Sequence, residues 1–344
     1  MHKLVEHIRK SEPNTHVVLS YEDQPMNDWT SVFRRLQGEI ASDPGLDVHT
    51  GMGSLPCIMD RFEGVTIAAT GVSFYKPCFP PKSIDLMFSA TAMHWFRKTP
   101  IAMKNVLHSA MLEKTDPEFK TYWNQAAEDW KVILRERARE LKPGARFGCV
   151  SFAKNEQGHF LGKSSHVKES MHHQFRDIWA DMASAGRITK GEFEATNFPN
   201  QYRCMEEYLA PFGGEGGKAQ EVSAAILQSG VKGKAAFEGM AVAAASYGEV
   251  RCPYHVRWMS EKALRQEKKV DEAQAAKEHA KRFVPTTRTW SNSTFESALD
   301  SSRSTGERQA LAEELFQTYE SRIAQSPQDH AMDYQHVYLV MHKA

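Results

Sequence analysis

Segments typical of strands and of helices alternate along residues 1–152, and this alternation is the strongest constraint on the fold. Short β-branched or apolar runs predict strands, and longer runs with apolar residues on one helical face predict helices. The strand candidates are residues 16–21, 65–69, the first half of 83–96, and 147–152. The helix candidates are residues 3–9, a segment capped by Asn27 or Asp28, and about 117–141. We therefore expect an α/β fold with a doubly wound, mostly parallel sheet.

The middle of the chain has a different pattern. Residues 163–303 are rich in helix-forming sequence and contain a glycine-rich loop at 211–217. A strongly charged segment at 261–282 is typical of one solvated helix. Because no strand rhythm continues through this region, we expect residues 161–304 to form a helical cap inserted into the sheet domain.

The end of the chain returns to the sheet pattern. Residues 309–323 predict an amphipathic helix, and residues 333–343 predict a closing strand with alternating apolar positions. The sheet domain is therefore expected to consist of residues 1–160 together with residues 305–344, on either side of the cap in the sequence.

Composition narrows the class of protein. The 344-residue chain carries 43 basic and 43 acidic residues. Binding to nucleic acid or to a membrane surface would favour a basic excess, so we expect neither partner. No apolar run approaches the ~18 residues that a transmembrane helix needs, and the polar start lacks a signal-peptide core. The five cysteines form no CxxC pair, so we expect reduced thiols in a cytoplasmic protein. The histidines show no metal-ligand spacing, and we expect no metal site.

Residues 83–96 (SIDLMFSATAMHWF) contain the most specific candidate site. The apolar residues of the first half predict a buried strand: Ile84, Leu86, Met87 and Phe88. His94 and Trp95 follow towards its carboxyl end, where ligands bind in open α/β sheets. A ring N–H, an indole N–H and two flat apolar faces suit a small planar molecule with a carboxylate. A lone His–Trp pair is otherwise usually a core or surface pair.

An acid also follows the strand predicted at residues 16–21. Asp23 stands where the second strand of a nucleotide-binding sheet often carries the acid that binds ribose hydroxyls. The alternative is a turn acid or a helix cap, which would be the better interpretation of Asp23 taken alone.

Three segments together resemble one family, the plant-type SABATH carboxyl methyltransferases of the salicylate, jasmonate and caffeine-pathway group. In residues 17–36 the matching positions after the strand are Pro25, Asn27 and Asp28. Residues 71–85 (GVSFYKPCFPPKSID) resemble the family's exit from the third strand, and residues 83–96 resemble its His–Trp segment. The resemblance extends over nearly the whole chain but is thin in the predicted cap.

The resemblance implies a Rossmann-like methyltransferase sheet with S-adenosyl-L-methionine as cofactor. It assigns cofactor binding to Asp23, with Gln24 at a position that is usually Leu, and to Ser73 and Phe74 beside the adenine. It implies that His94 and Trp95, the catalytic candidates, hold the carboxylate of a small organic acid. The implied product is a methyl ester. The substrate walls would include Thr91, where the family often has Tyr, and the cap residues Phe198 and Tyr202.

One family motif is absent from this sequence, which contains no Asp-x-Gly-x-x-x-Gly. Residue 1 already aligns within the helix that follows the family's glycine-rich turn, and the glycines at 213–217 follow no strand. One expectation is a truncated form of a working enzyme; the other is a shortened paralogue that binds or scaffolds without catalysis. A methyltransferase acting on a ring nitrogen is a third alternative. The resemblance also implies a homodimer.

Overall fold

The computed structural model describes residues 1–39, 57–213 and 236–344, which divide into two units, Met1–Pro81 and Lys82–Ala344. Within the first unit, the strands β1 (Val17–Asp23) and β2 (Val65–Gly71) pair in parallel, in register from Val17 with Val65 to Asp23 with Gly71. Both strands confirm sequence predictions. Most of the glycine-rich loop expected at 211–217 lies outside the described residues.

Three helices accompany this parallel pair, and two of them contribute to a small core. They are α1 (His2–Ser11), α2 (Trp29–Leu36) and the short α3 (Ile58–Arg61). Asp28 caps α2 as expected, since its side chain accepts a hydrogen bond from the Ser31 backbone N–H. The buried apolar residues come from α1, both strands and α3: Val5, Val17, Leu19, Ile58 and Val65.

The second unit contains a mixed sheet with the strand order β3-β4-β6-β5. Its strands are β3 (Ile84–Ala90), β4 (Leu141–Phe152), β5 (Met240–Val250) and β6 (Tyr334–Lys343). β3 and β4 run parallel and are joined by the helix α4 (Phe119–Glu140), whereas β6 runs antiparallel to both β4 and β5. The α/β class is confirmed, but this sheet is mixed rather than mostly parallel.

A helical layer accounts for most of the second unit's core. Its helices are α5 (Met171–Ser184), α6 (Lys190–Ala195), α7 (Met205–Leu209), α8 (Pro253–Ser260), α9 (Lys262–Glu267), α10 (Glu272–Ala298) and α11 (Thr305–Gln325). Short 3₁₀ turns lie at Ser109–Met111, Ala210–Phe212 and Pro327–Asp329. Large aromatic residues dominate the buried cluster, among them Phe175, Trp179, Phe198, Phe283 and Phe295. No helix in the described part of the chain is long and apolar enough to cross a membrane.

Two expectations for the middle of the chain are wrong. β5 lies within residues 161–304, where the sequence predicts no strand. The prediction missed it because its alanine-rich sequence has weak β-propensity, and the strand forms because it pairs with β6. The charged segment at 261–282 is also not one helix, since α9 ends at Glu267 and α10 begins at Glu272. Lys269 between them has a left-handed φ of 50°. The division into a sheet domain and a cap at residues 161–304 stays a prediction.

The burial expected for β3 is also wrong in part. Leu86 is 46% exposed and Phe88 is 59% exposed, although both belong to an apolar strand. Among the described residues, β3 has a hydrogen-bonded neighbour on one side only, the strand β4. Within the described part of the chain β3 is therefore an edge strand of this sheet, and the exposed Leu86 and Phe88 lie on one of its faces.

Candidate active site

The predicted cofactor residues lie at or just after the carboxyl ends of the two parallel strands of the first unit. Asp23 ends β1 and is in register with Gly71, which ends β2, so both strands finish at the same edge. The loop after β1 lies against this point, because a Cβ atom added to Gly71 would be 3.5 Å from Cα of Pro25. Asp23 and Gln24 are exposed there.

Local hydrogen bonds orient the Asp23 carboxylate. Oδ1 accepts from the backbone N–H of Gln24 at 2.7 Å, and Oδ2 accepts from Nδ2 of Asn27 at 3.1 Å. A carboxylate oxygen can accept more than one hydrogen bond, so both oxygens still have capacity for hydroxyl donors. The sequence match at Asn27 thus has a structural role, because it holds the side chain of the predicted ribose-binding acid.

Ser73 and Phe74 follow directly after β2 on the same edge of the unit. Oγ of Ser73 accepts from the Tyr75 backbone N–H at 3.4 Å. Phe74 is 8% exposed, and its ring centroid lies 4.8 Å from that of Tyr75. A carboxylate, a hydroxyl and an aromatic ring at one strand edge form a set that fits the nucleoside part of a cofactor.

The predicted substrate residues line a cavity in the second unit. Thr91, His94, Trp95 and Tyr202 all contribute to a cavity of about 170 Å³. Its other lining residues are Phe152, Leu161, Asn200, Trp290, Met332 and Tyr334. Phe198 lies in the adjoining core, with its ring centroid 5.8 Å from that of Trp290. The structure therefore brings four of these predicted residues together around one space.

The backbone turns sharply where β3 ends at this cavity. The Thr91 N–H donates to the Val150 carbonyl oxygen at 2.8 Å, which extends the β3–β4 ladder by one residue. Thr91 has a left-handed φ of 52°, a conformation that costs a β-branched residue on the order of 1–3 kcal/mol. Such strain is common at functional sites, and here it directs the chain into the segment that carries His94 and Trp95.

His94 is a neutral ring in an aromatic environment. It is 2% exposed, and burial holds its pKa well below the usual value, helped by the nearby His108, Arg203 and His336. Its ring centroid lies 4.9 Å from Phe152 and 5.4 Å from Trp95. Nδ1 of His94 is buried with no hydrogen-bond partner among the described residues. A buried nitrogen without a partner is costly and often marks a binding position.

A polar network behind the cavity was not predicted from the sequence. Tyr202 Oη lies 3.0 Å from Nε2 of His172, and the Tyr202 ring stacks on His108 at 4.2 Å. His108 in turn is hydrogen bonded to Asn200. The two hydrogen-bonded pairs, His172 with Tyr202 and His108 with Asn200, are separated by 30 and 92 positions along the chain. The sequence near Tyr202 marks a wall of the site, but no local pattern identifies its buried partners.

No cluster of three or more His, Cys, Asp or Glu side chains in the described residues is placed to hold a metal ion. The residues brought together at the two places offer hydrogen-bonding groups and aromatic surfaces. In the second unit, neutral ring donors, an amide and aromatic walls can orient a small organic acid. In the first unit, the oriented Asp23 carboxylate can bind hydroxyl groups.

Comparisons with known proteins point to one family. A family model described as SAM-dependent carboxyl methyltransferase matches residues 1–211. The S-adenosyl-L-methionine:benzoic acid/salicylic acid carboxyl methyltransferase 3 of Petunia hybrida is 23% identical over 201 residues, 57% of this chain and 52% of that protein. The salicylate/benzoate carboxyl methyltransferase of Arabidopsis thaliana is 24% identical over 205 residues, 57% of this chain and 47% of that protein. This chain thus spans about half the length of these curated relatives.

A solved structure supports the fold assignment. The structure of loganic acid methyltransferase with SAH superposes with a TM-score of 0.59 at 16% identity, covering 99% of this chain and 78% of that one. This similarity concerns the fold, since the identity is low. The family model covers more than half of the 344 residues, and on that basis the chain belongs to the SAM-dependent carboxyl methyltransferase family.

Proposed function

We propose that this protein transfers a methyl group from S-adenosyl-L-methionine to the carboxylate of a small organic acid, giving a methyl ester. The observation that carries the proposal is the cavity lined by Thr91, His94 and Trp95 at the end of β3, in a chain of this family. In the reaction a carboxylate oxygen–methyl bond forms and the sulfur–methyl bond breaks, with no net proton transfer.

Asp23, Gln24, Ser73 and Phe74 form the proposed cofactor site. When bound, S-adenosyl-L-methionine supplies the methyl group from a sulfonium centre. The oriented Asp23 carboxylate would accept hydrogen bonds from ribose hydroxyls. The Ser73 hydroxyl and the Phe74 ring would contact the adenine, the first by hydrogen bonding and the second by stacking.

His94 and Trp95 would hold the acid. A carboxylate is ionised at neutral pH, since its ordinary pKa is about 4, so methyl transfer to it requires no general base. Because burial keeps His94 neutral, its ring N–H orients the carboxylate without placing a full positive charge beside the nucleophilic oxygen. The contribution of these residues is then positioning and the exclusion of water.

The size of the cavity favours a small substrate. Its volume of about 170 Å³ lies below the ~300–1,000 Å³ usual for pockets that hold drug-sized ligands. The aromatic side chains of Trp95, Phe152, Tyr202 and Trp290 favour a flat acid. Methyl transfer to a ring nitrogen and binding without catalysis are the competing functions. A homodimer and a cytoplasmic location stay predictions.

The test has two steps. Titration calorimetry of the purified protein with S-adenosylhomocysteine is expected to give micromolar binding, and Asp23→Asn is expected to weaken it. A panel of small aromatic and aliphatic acids is then incubated with S-adenosyl-L-methionine, and methyl esters are detected by mass spectrometry. Binding without ester formation would favour a binding protein, and N-methylated azoles in a parallel panel would favour a nitrogen acceptor. A folded protein that binds no S-adenosylhomocysteine would contradict the proposal.

A further inference from the structure

Asn200 lies directly beside Trp95 in the wall of the cavity. The two residues form an antiparallel β-bridge, flanked by hydrogen bonds from Phe96 N–H to the Pro199 carbonyl at 2.7 Å and from Gln201 N–H to the His94 carbonyl at 2.9 Å. The hydrogen bonds are made by the neighbouring residues, so Trp95 and Asn200 stand opposite each other as a non-hydrogen-bonded pair. The side chains of such a pair point to the same face and approach closely. Both side chains accordingly line the cavity.

His108 determines which end of the Asn200 amide faces the cavity. The Ala110 backbone N–H donates to Nδ1 of His108 at 2.9 Å, so Nδ1 carries no proton. The proton of the neutral ring is therefore on Nε2, which is hydrogen bonded to Oδ1 of Asn200. With Oδ1 held by this donor, the Nδ2 amino group is the end of the amide left for the cavity.

Burial fixes this arrangement over the physiological pH range. His108 is fully buried, and desolvation lowers its pKa to about 3, so the ring stays neutral. The Tyr202 ring, stacked on His108, and the tilted His172 ring, each with its centroid 4.2 Å away, hold the plane of the His108 ring. The backbone of Asn200 is held as well, since Ser109 Oγ donates to its carbonyl oxygen at 2.8 Å. Nδ2 of Asn200 has no hydrogen-bond partner among the described residues.

We propose that Asn200 determines substrate specificity, by donating a hydrogen bond from Nδ2 to an acceptor oxygen that the acid carries next to its carboxylate. The inference rests on the proposed function. His94 and Trp95 supply the donors for one carboxylate oxygen, and the other oxygen must stay free to receive the methyl group. The third donor, beside Trp95, then matches a substituent in the 2-position of the acid. His108 is the positioning residue for this donor.

Leaving a buried donor without an acceptor costs more free energy than a typical hydrogen bond on the surface contributes. We therefore expect an acid with a 2-oxygen to bind about ten-fold more tightly than the same acid without it. The probes are two matched pairs, phenylglyoxylate with phenylacetate, and 2-hydroxybenzoate with benzoate. Dissociation constants are measured by calorimetry with the full chain saturated with S-adenosylhomocysteine.

The variants separate specificity from folding. In Asn200→Leu the preference within each pair is expected to fall to about one, because the donor is gone while an apolar side chain of similar size remains. Gln201→Leu is the matched control, an adjacent amide on the opposite face of the bridge, and should keep the preference. Circular dichroism establishes that each variant is folded. Asn200→Ser, a smaller polar replacement, is used if Asn200→Leu does not fold.

The role of His108 has its own tests. His108→Gln retains an Nε2 donor and is expected to keep part of the preference, whereas His108→Leu should lose it. The nitrogen-15 shifts of His108 are expected to show an unprotonated Nδ1 in the wild-type protein without substrate. The proposal would be overturned if Asn200→Leu weakened the binding of both acids of a pair equally. It would also be overturned if the wild type showed no preference, or if His108 proved to be the Nδ1–H tautomer. Binding of none of the four acids would overturn this proposal, whereas the proposed function is tested separately by binding of S-adenosylhomocysteine and by ester formation with the wider acid panel.

Discussion

The hydroxyl oxygen of Tyr202, a residue that lines the candidate substrate cavity, lies 3.0 Å from Nε2 of His172, and both side chains are buried. Burial raises the pKa of Tyr202 well above its usual value and lowers the pKa of His172 well below its own. Both groups are therefore neutral at physiological pH. The hydrogen bond fixes a wall of the cavity with neutral partners.

Replacing Tyr202 by Phe is expected to destabilise the protein by about 1–3 kcal/mol, because Nε2 of His172 is left buried without a partner. Urea unfolding followed by circular dichroism measures this change in the free energy of unfolding. Tyr338→Phe is the control, since its hydroxyl lies in a half-buried position 3.5 Å from Nδ1 of His336. Equal effects of the two substitutions would show that the hydrogen bond to His172 contributes nothing specific.

Removing the indole N–H of Trp95 is expected to impair methyl transfer. Trp95→Phe keeps an aromatic wall but loses a donor to the substrate carboxylate, and hydrogen bonds to charged groups contribute about 1.5–3 kcal/mol. We expect kcat/KM to fall roughly 10- to 100-fold. Steady-state assays of ester formation measure the loss, with the affinity for S-adenosylhomocysteine as the control. Unchanged kcat/KM would remove Trp95 from the substrate site.

Asp23→Asn tests the cofactor site in the first unit. The substitution keeps the size of the side chain but replaces a charged acceptor of ribose hydroxyls by a neutral amide. The dissociation constant for S-adenosylhomocysteine is expected to rise roughly ten-fold or more by calorimetry. Asp85→Asn is the matched control, because Asp85 is a 78% exposed acid whose partner is Lys142. Equal affinities of the wild type and Asp23→Asn would contradict the assignment of Asp23.

Methyl transfer is expected to depend little on pH between 6 and 8. Burial holds the pKa of His94 well below its usual value, so the ring stays neutral throughout that range. The substrate carboxylate is already ionised, since its ordinary pKa is about 4. A kcat/KM profile measured with a simple carboxylic acid checks this. A rise of ten-fold or more with a midpoint near 6.5 would mean that His94 titrates as an exposed histidine does.

Stability, in contrast, is expected to fall at low pH through Glu192. Oε2 of Glu192 accepts from Nη2 of Arg303 at 2.9 Å, and Asp300 and Thr189 add backbone N–H donors. The bond from Arg303 is the main cause that lowers the pKa of Glu192 to about 2. Since the unfolded carboxyl titrates near about 4.3, the stabilisation is complete above that pH and is lost as pH falls towards 2.

Unfolding by urea at pH 7 and at pH 3 measures this contribution. Glu192→Gln is expected to cost on the order of 2 kcal/mol at pH 7 and roughly half of that at pH 3, because a folded carboxyl with a pKa of about 2 is still mostly ionised there. Glu314→Gln is the control, because its partner Arg187 is 56% exposed and surface pairs contribute less than about 1 kcal/mol. A pH-independent effect of Glu192→Gln would show that its role is packing rather than ion pairing.

Much of the fold follows from local sequence patterns. β1, β2, α4 and β6 lie within a few residues of their predicted bounds. The predictions fail where tertiary contacts outweigh local preference. The alanine-rich β5 is stabilised by β6, and in the charged segment Arg265 is buried over the Trp258 ring at 3.7 Å instead of facing solvent.

The sequence by itself determined the alternation of strands and helices and the residues at the strand ends, including Asp23, His94 and Trp95. These features depend on periodicity and turn chemistry within short windows, where backbone hydrogen bonding and side-chain direction are local. Only the tertiary structure decided that Asn200 pairs with Trp95 and is held by His108, 92 positions away. Such contacts depend on how distant segments close around a shared core, and no window of the sequence contains both partners.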